Sequence, residues 1–170
     1  DYFYKTMFNK KKHNSNLYNN LLMLSRNIFF YKIIKLDDSF ETRIYLMFLH
    51  FSIMMIVSKK KGVKLDQDLY DSLFHNIEYN LRELGFGDVS VNKKMKDLNK
   101  ILYDILLKLT DPKSKIFIIN KNLITIYFEG LKHAEDDIYQ KFEQYFLDFY
   151  QFCSELSYKN MISSLHKFNN

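Results

Sequence analysis

The residue types that carry most enzyme chemistry are few in this sequence, and they are scattered along it. The chain of 170 residues has one cysteine and five histidines, namely His13, His50, His75, His133 and His166. No histidine belongs to an HExxH pair, a single cysteine excludes a paired-cysteine zinc site, and no GxSxG or GxxxxGK motif is present. His75 and Glu78 lie one helical turn apart, but an isolated pair of this kind is common by chance. The sequence therefore predicts no catalytic residue, no bound metal and no cofactor.

Three further residues are predicted to have structural roles. Cys153 cannot form an internal disulfide and lies in an aromatic stretch, which indicates a buried thiol. His50 interrupts the longest apolar run, residues 44–57, and is predicted to be a core histidine with one satisfied hydrogen bond. Arg43 precedes it on the same helix and needs an acidic or carbonyl partner if it is partly buried. The candidate acidic partners are Asp71, Glu78 and Asp88.

Basic residues outnumber acidic ones, 25 to 20, which gives a formal net charge of +5. The basic clusters are Lys10, Lys11 and Lys12, then Lys59, Lys60, Lys61 and Lys64, then Lys93, Lys94 and Lys96. These clusters are either solvated helix ends or contacts with ribosomal RNA or anionic lipid headgroups. Because no zinc finger and no RNA-recognition motif is present, no DNA partner is expected.

Composition favours a single helical domain. The chain is 47% hydrophobic but has only four glycines and one proline, too few for the turns of a β-sandwich or barrel. The sequence predicts an all-α fold, a single compact bundle of about six helices over residues 15–168, after a flexible basic tail over residues 1–14. No secretory signal is predicted, and residues 44–57 are shorter than the ~20 apolar residues of a membrane span.

Apolar periodicity predicts where the helices lie. The predicted ranges are 15–34, 38–61, 65–84, 90–109 and 135–156, with a weaker helix over 159–168. Asp38 is expected to begin the second helix in a capping box with Glu41, Gly85 to end the third, and Ser90 to cap the fourth. Residues 116–128 have both hairpin and helix character, and the helical context favours a helix.

One stretch resembles a known family. The segment LYDSLFHNIEYNLRELGFGDVSVNKKMKDLNKILYDILL resembles the ubiquinol–cytochrome c chaperone family, especially its α-proteobacterial branch. The residues that carry the resemblance are Glu78, Asn80, Leu81, Arg82, Glu83, Gly85, Gly87 and Asp88, then Val91, Lys93, Lys94, Met95 and Lys96. Upstream, Phe40, Arg43, Leu49 and His50 match the family's earlier helix, so that the resemblance covers roughly residues 35–110. The sequence departs from the family pattern at Asn92, where bacterial relatives often have proline.

The resemblance implies a helical protein without known catalytic residues, and therefore not an enzyme. Mitochondrial members bind newly made cytochrome b near the ribosomal tunnel exit and act with a small partner protein in complex III assembly. The expected client is cytochrome b or another membrane protein; a small partner chaperone, the ribosome tunnel exit and a peripheral membrane contact are further expected partners. The expected location is the bacterial cytoplasm, peripherally at the inner membrane, with the mitochondrial matrix as the alternative.

The expected partner-contact region is the loop and helix start over residues 85–95. The predicted partner-binding residues are Arg82, Gly85, Phe86, Gly87, Asp88, Lys93, Lys94 and Met95, with Arg43 and His50 as structural support. Flexible methionines and aromatic residues could form an adaptable client groove, or could be ordinary core. These residues are Met47, Met54, Met55, Phe142, Tyr145 and Phe149.

Two functions from other classes remain open at the level of sequence. One is a ribosome- or RNA-associated binding protein with a different client, whose binding would weaken steeply as salt rises. The other is an enzyme acting on a lipid or quinone-like molecule in a helical pocket, which a tight complex with a small apolar ligand would indicate.

Overall fold

The computed structural model describes residues 16–168, which form helices and loops without a strand. The helices are α1 (16–25), α2 (Ile28–Lys32), α3 (Phe40–Lys60), α4 (Gln67–Glu83), α5 (Asp88–Lys108), α6 (Lys121–Tyr127), α7 (Asp136–Glu155) and α8 (Met161–Ser164). Short 3-10 turns lie at Glu129–Leu131, Tyr158–Asn160 and Leu165–Lys167. The prediction of an all-α bundle is confirmed. The predicted tail, residues 1–14, lies outside the described residues.

Helix α3 is the centre of the bundle and packs against both α5 and α7. Four consecutive residues, Leu46, Met47, Phe48 and Leu49, are all buried. Because successive helical residues are about 100° apart, burial of four in a row means that α3 has neighbours on every side. By length and composition alone α3 could cross a membrane, with a mean hydropathy of 1.4, but 61% of that apolar window is buried within the protein.

Helix α7 contributes an aromatic face to the core. The buried face consists of Tyr139, Phe142, Phe146, Phe149 and Cys153. Cys153 is fully buried, as predicted, and burial raises the pKa of its thiol to about 12. Tyr145 and Phe152 are half-buried at the border of this face.

One predicted helix is interrupted, and one predicted cap is wrong, because a neighbouring polar side chain caps a helix instead. The predicted helix over 15–34 breaks at Asn27, whose side chain accepts a hydrogen bond from the Phe29 N–H and so begins α2. Helix α3 is capped by Ser39, which accepts from the Thr42 N–H at 3.2 Å, rather than by Asp38. A side-chain acceptor at the first non-helical residue satisfies an otherwise unpaired backbone donor.

Helix α5 begins at Asp88, with Gly87 as its N-cap, so that the predicted cap at Ser90 is wrong. Ser90 instead lies within the first turn. The prediction that Gly85 ends α4 agrees with its φ of 93°, in the left-handed region where glycine carries no steric penalty.

Residues 116–128 are part extended and part helix. Phe117 and Ile119 are buried while Ile116 and Ile118 are exposed, the alternation of an extended segment. Asn120 then accepts hydrogen bonds from the N–H groups of Asn122 and Leu123 and begins α6. The predicted helix is thus confirmed only for its second half, and no hairpin exists within residues 16–168. The weaker helix predicted over 159–168 is confirmed only in part, as the short helix α8 between two 3-10 turns.

Candidate partner-binding surface

The turn between α4 and α5, which we call the tip (residues 84–89), is an exposed end of the bundle. Every residue from 82 to 90 is exposed, the longest such run within residues 16–168. Backbone hydrogen bonds close the end of α4, since Gly85 N–H donates to Arg82 C=O at 3.0 Å and Phe86 N–H donates to Leu81 C=O at 3.3 Å. The tip is therefore a tight, well-defined turn rather than a long loop.

Arg82 joins the two helices at the base of the tip. Its guanidinium bonds Glu78 on α4 at 3.1 Å and also bonds Asp88 in the first turn of α5. Hydrogen bonds to Asp88 and Glu78 raise the pKa of Arg82, which stays fully charged. Arg82, Gly85, Gly87 and Asp88 thus act together to shape the tip.

Apolar side chains and lysines lie next to one another at the tip. Leu84, Phe86 and Val89 are exposed by 58%, 38% and 85% of their surfaces. The Lys94 ammonium lies over the Phe86 ring, 4.8 Å from its centroid, in a cation–π contact. Lys93 is exposed, whereas Met95 is half-buried and packs against the core.

A cleft of about 490 Å³ opens between the start of α3 and the middle of α5. Its apolar lining residues are Phe40, Tyr45, Leu98 and Ile101, and its charged lining residues are Glu41, Lys94, Asp97 and Lys100. Lys94 lines the cleft and contacts Phe86 of the tip, so the two surfaces lie side by side. A smaller cavity of about 300 Å³ lies on the other side of Tyr45 and is closed by Tyr127 and Phe128.

The cleft and the tip both fall within a segment that matches a known family. A family model described as ubiquinol-cytochrome C chaperone matches residues 32–117, half of the chain. The chain belongs to the ubiquinol–cytochrome c chaperone family. The resemblance seen in the sequence is therefore confirmed, while the α-proteobacterial branch stays a prediction. No curated protein and no solved structure matches the chain significantly.

Family membership indicates a chaperone role in general, and with it a protein client and a non-enzymatic activity. Within residues 16–168 no group of three or more histidine, cysteine or acidic side chains lies close enough to hold a metal ion. The matched segment comprises all of α3, α4 and α5, which form the cleft and the tip, and stops before α6 and α7.

Of the two alternatives for the methionines and aromatic residues, ordinary core is confirmed and the client groove is not formed. Met47, Met54, Phe142 and Phe149 are fully buried, and Met55 and Tyr145 are half-buried against the same core. Helix α3 is buried on every side and α7 packs against it, so these side chains fill the core and do not line an open groove. The concave surface of this family member is instead the cleft.

Sequence reasoning missed most of the cleft residues. On α5 the lining residues lie at positions 94, 97, 98, 100 and 101, along one side of the helix, and the sequence predicted a partner-binding role for Lys94 alone among them. That spacing was readable, but it indicates only that these residues share a face. Which helix faces them depends on the packing of α3 against α5.

The predicted acidic partners of Arg43 are wrong. The Arg43 guanidinium bonds Asp38, with its Nε and Nη2 atoms 2.8 Å and 2.6 Å from Oδ1. Glu78 and Asp88 bond Arg82 instead. Asp71 accepts a hydrogen bond from Gln67. Arg43 is therefore a surface residue at the start of α3, with a side chain 36% exposed.

His50 is fully buried in the core, as predicted, but makes two hydrogen bonds rather than one. Its Nδ1 lies 2.6 Å from Leu46 C=O, and its Nε2 lies 2.8 Å from the Tyr145 hydroxyl. Burial lowers its pKa to about 4, so the imidazole is neutral at physiological pH. His50 links α3 to α7 and does not reach the cleft.

The second lysine cluster is partly used within the fold. Lys60 donates to the Tyr150 hydroxyl at 3.0 Å and lies over the same ring. Lys61 donates to the carbonyl groups of Cys153 and Leu156 at the C-terminus of α7, where a positive charge is favoured by the helix dipole. In the third cluster, beside the tip, Lys93 and Lys96 are exposed and Lys94 is half-buried. The first cluster lies outside the described residues.

Proposed function

We propose that this protein is an assembly chaperone that binds newly made cytochrome b, or a related membrane-protein client, during biogenesis of the ubiquinol–cytochrome c reductase complex. The general chaperone role follows from the family. The observation that supports a membrane-protein client is the cleft between α3 and α5. It is lined by apolar and charged side chains and lies within the segment that matches the family model.

The cleft suits one face of an apolar helix. Two antiparallel or crossing helices leave a groove between them, and a third helix can lay its apolar face into such a groove. Here Tyr45 and Ile101 provide apolar surface for that contact, while Lys94 and Asp97 offer charges of both signs to the client's polar flank. A client held by one open groove can be released again, as an assembly chaperone requires.

The predicted partner-binding residues divide into two groups in this proposal. Lys94 lines the cleft and forms part of the client contact, and Lys93 and Met95 lie beside it at the start of α5. Arg82, Gly85, Phe86, Gly87 and Asp88 hold that helix start in place, through the ion pairs of Arg82 and the contact of Phe86 with Lys94. The proposed setting is the bacterial cytoplasm at the inner membrane.

Capture of the client from its own cells tests this proposal. The tagged protein is recovered in mild detergent, and its partners are identified by mass spectrometry. We expect cytochrome b to be recovered with the unaltered chain and to be lost from a Lys94→Glu, Lys100→Glu variant, which reverses both basic charges of the cleft. The matched control is Lys159→Glu with Lys167→Glu, two exposed lysines distant in sequence from the cleft, which should retain the client.

Salt separates an apolar client contact from an RNA contact. Capture through the cleft should persist as salt is raised, because it depends mainly on buried apolar surface. Recovery of ribosomes that is lost steeply with salt, without cytochrome b, would disprove the client that we propose. A small partner chaperone, if present, should appear in the same capture.

A further inference from the structure

The apolar end of the tip is not used by the cleft or by the core. We propose that the tip docks on the surface of an anionic lipid bilayer, with Leu84, Phe86 and Val89 entering the membrane interface and Lys93 and Lys96 contacting lipid phosphates. This membrane contact is distinct from the client contact in the cleft, and each can exist without the other.

The shape of the tip favours a lipid surface over a protein pocket. The three apolar side chains stand on an exposed turn between two helix ends, in a run where residues 82–90 are all exposed. A convex apolar end needs a soft or concave surface to bury it, and a bilayer interface provides one without a shaped pocket. Val89, exposed by 85%, is the most exposed of the described large apolar residues.

The lysines lie at the right distance behind the apolar end. Val89, Lys93 and Lys96 are spaced four and three residues apart on α5, so they share one face of the helix. With a rise of about 1.5 Å per residue, Lys93 lies ~6 Å and Lys96 ~10 Å behind Val89 along the helix. Interfacial segments bury their apolar side chains about 5–10 Å deep, which places both ammonium groups at the level of the headgroups.

The charge of this segment also fits an anionic surface. Residues 82–96 contain the basic side chains Arg82, Lys93, Lys94 and Lys96 and the acidic side chains Glu83 and Asp88. Asp88 is the acidic residue within the tip itself, and it is paired with Arg82. That ion pair reduces the repulsion between the tip and lipid phosphates, and the remaining lysines attract them.

The absence of tryptophan from the sequence permits a direct test. Phe86→Trp and Val89→Trp each introduce a single fluorescent reporter at the tip. Leu107→Trp is the matched control, because Leu107 is 73% exposed but lies at the opposite end of α5. With vesicles of phosphatidylcholine and phosphatidylserine, we expect the tip reporters to shift to shorter emission wavelength and to be quenched by brominated lipid, while the Leu107 reporter is unchanged.

Three outcomes would overturn the proposal. No shift at either tip position would show that the tip does not enter a bilayer and would leave it as a protein contact. An equal shift at Leu107 would show non-specific adsorption. Equal binding to phosphatidylcholine alone would show that the lysines do not contact anionic lipid.

A second variant separates membrane docking from client binding. Leu84→Ser with Val89→Ser removes apolar surface from the tip at two residues that have no role in the client contact, and we expect at least about a tenfold loss of affinity for anionic vesicles. Because the client capture is done in detergent, this variant should still recover cytochrome b if both proposals hold. Retained vesicle binding by this variant would disprove the membrane contact, whereas retained client in the Lys94→Glu, Lys100→Glu variant would disprove the client contact in the cleft.

Discussion

At the scale of single residues, His50 shows how burial changes the chemistry of a side chain. Leu46 C=O can only accept a hydrogen bond, so His50 Nδ1 must carry the proton and Nε2 accepts from the Tyr145 hydroxyl. The rings of Phe146 and Phe149 lie 4.9 Å and 4.8 Å from the imidazole ring, centroid to centroid. A charged imidazole in this environment would lose its hydration and gain no acidic partner, which is why its pKa falls.

The first prediction concerns the pH dependence of stability. Above pH 6.5 the His50 imidazole is neutral in both the folded and the unfolded state. Between pH 6.5 and about 4 the imidazole is protonated in the unfolded chain but stays neutral in the folded protein, whose His50 pKa is about 4. The free energy of unfolding should therefore fall between pH 6.5 and about 4, by about 3 kcal/mol in total from this residue. Urea unfolding across this range measures it.

His50→Gln is the control for this prediction, since glutamine can hydrogen bond but does not titrate. In this variant the free energy of unfolding should fall much less between pH 6.5 and about 4. The acid sensitivity that arises from carboxyl groups should remain. Identical pH profiles for the variant and the unaltered chain would show that His50 does not titrate as its burial implies.

At the scale of elements, the tip depends on two glycines that have different roles. Gly85 has a φ of 93°, whereas Gly87 is the N-cap of α5 with a φ of −73° and a ψ of 165°. A Cβ atom at either position would meet no atom within 4 Å. The two sites therefore differ in backbone conformation and not in available space.

The second prediction is that the same substitution has opposite effects at the two glycines. Gly85→Ser should lower the free energy of unfolding by about 1 kcal/mol, because an L-residue is strained at positive φ. Gly87→Ser should raise it by a few tenths of a kcal/mol, because serine at an N-cap can accept a hydrogen bond that glycine cannot. Chemical denaturation of both variants checks this. A loss of stability at both sites would mean that α5 does not begin where the structure places it.

At the scale of the whole molecule, stability rests on the burial of α3. Met54 and Met55 are neighbours on this helix, but Met54 is fully buried while Met55 is half-buried. Both were considered for a client groove, and the structure assigns Met54 entirely to the core. The client surface and the core are thus separate parts of the molecule, which allows one to be changed without the other.

The third prediction compares these two methionines. Met54→Ala should lower the free energy of unfolding by about 2–5 kcal/mol, because it leaves a cavity in a close-packed core. Met55→Ala should cost about 1 kcal/mol, in keeping with its partial burial. Equal losses in urea unfolding would contradict the central position of α3. Met54→Ala should not weaken client capture at a temperature where the variant is folded.

Local patterns in the sequence determined much of the fold. The apolar stripes of α4 and α7, the glycine that ends α4 and the buried thiol at Cys153 were all predictable, because helix periodicity and positive φ are local properties. The family could also be recognised from the sequence, because the motif that resembles it lies in contiguous residues around the α4–α5 turn. The starts of α2, α3 and α5 were less predictable, because several polar residues compete to cap each helix.

Only the tertiary structure decided how these elements combine. The cleft exists because α3 packs against α5, which brings Phe40 and Tyr45 beside Ile101. Arg82 rather than Arg43 bonds Glu78 and Asp88, because the turn between α4 and α5 brings Asp88 beside it, and His50 bonds Tyr145, 95 residues away. The sequence alone determined the helices, the chaperone family and the absence of recognised catalytic motifs. The concave surface arises from contacts between residues distant in the chain, which periodicity along one helix does not encode.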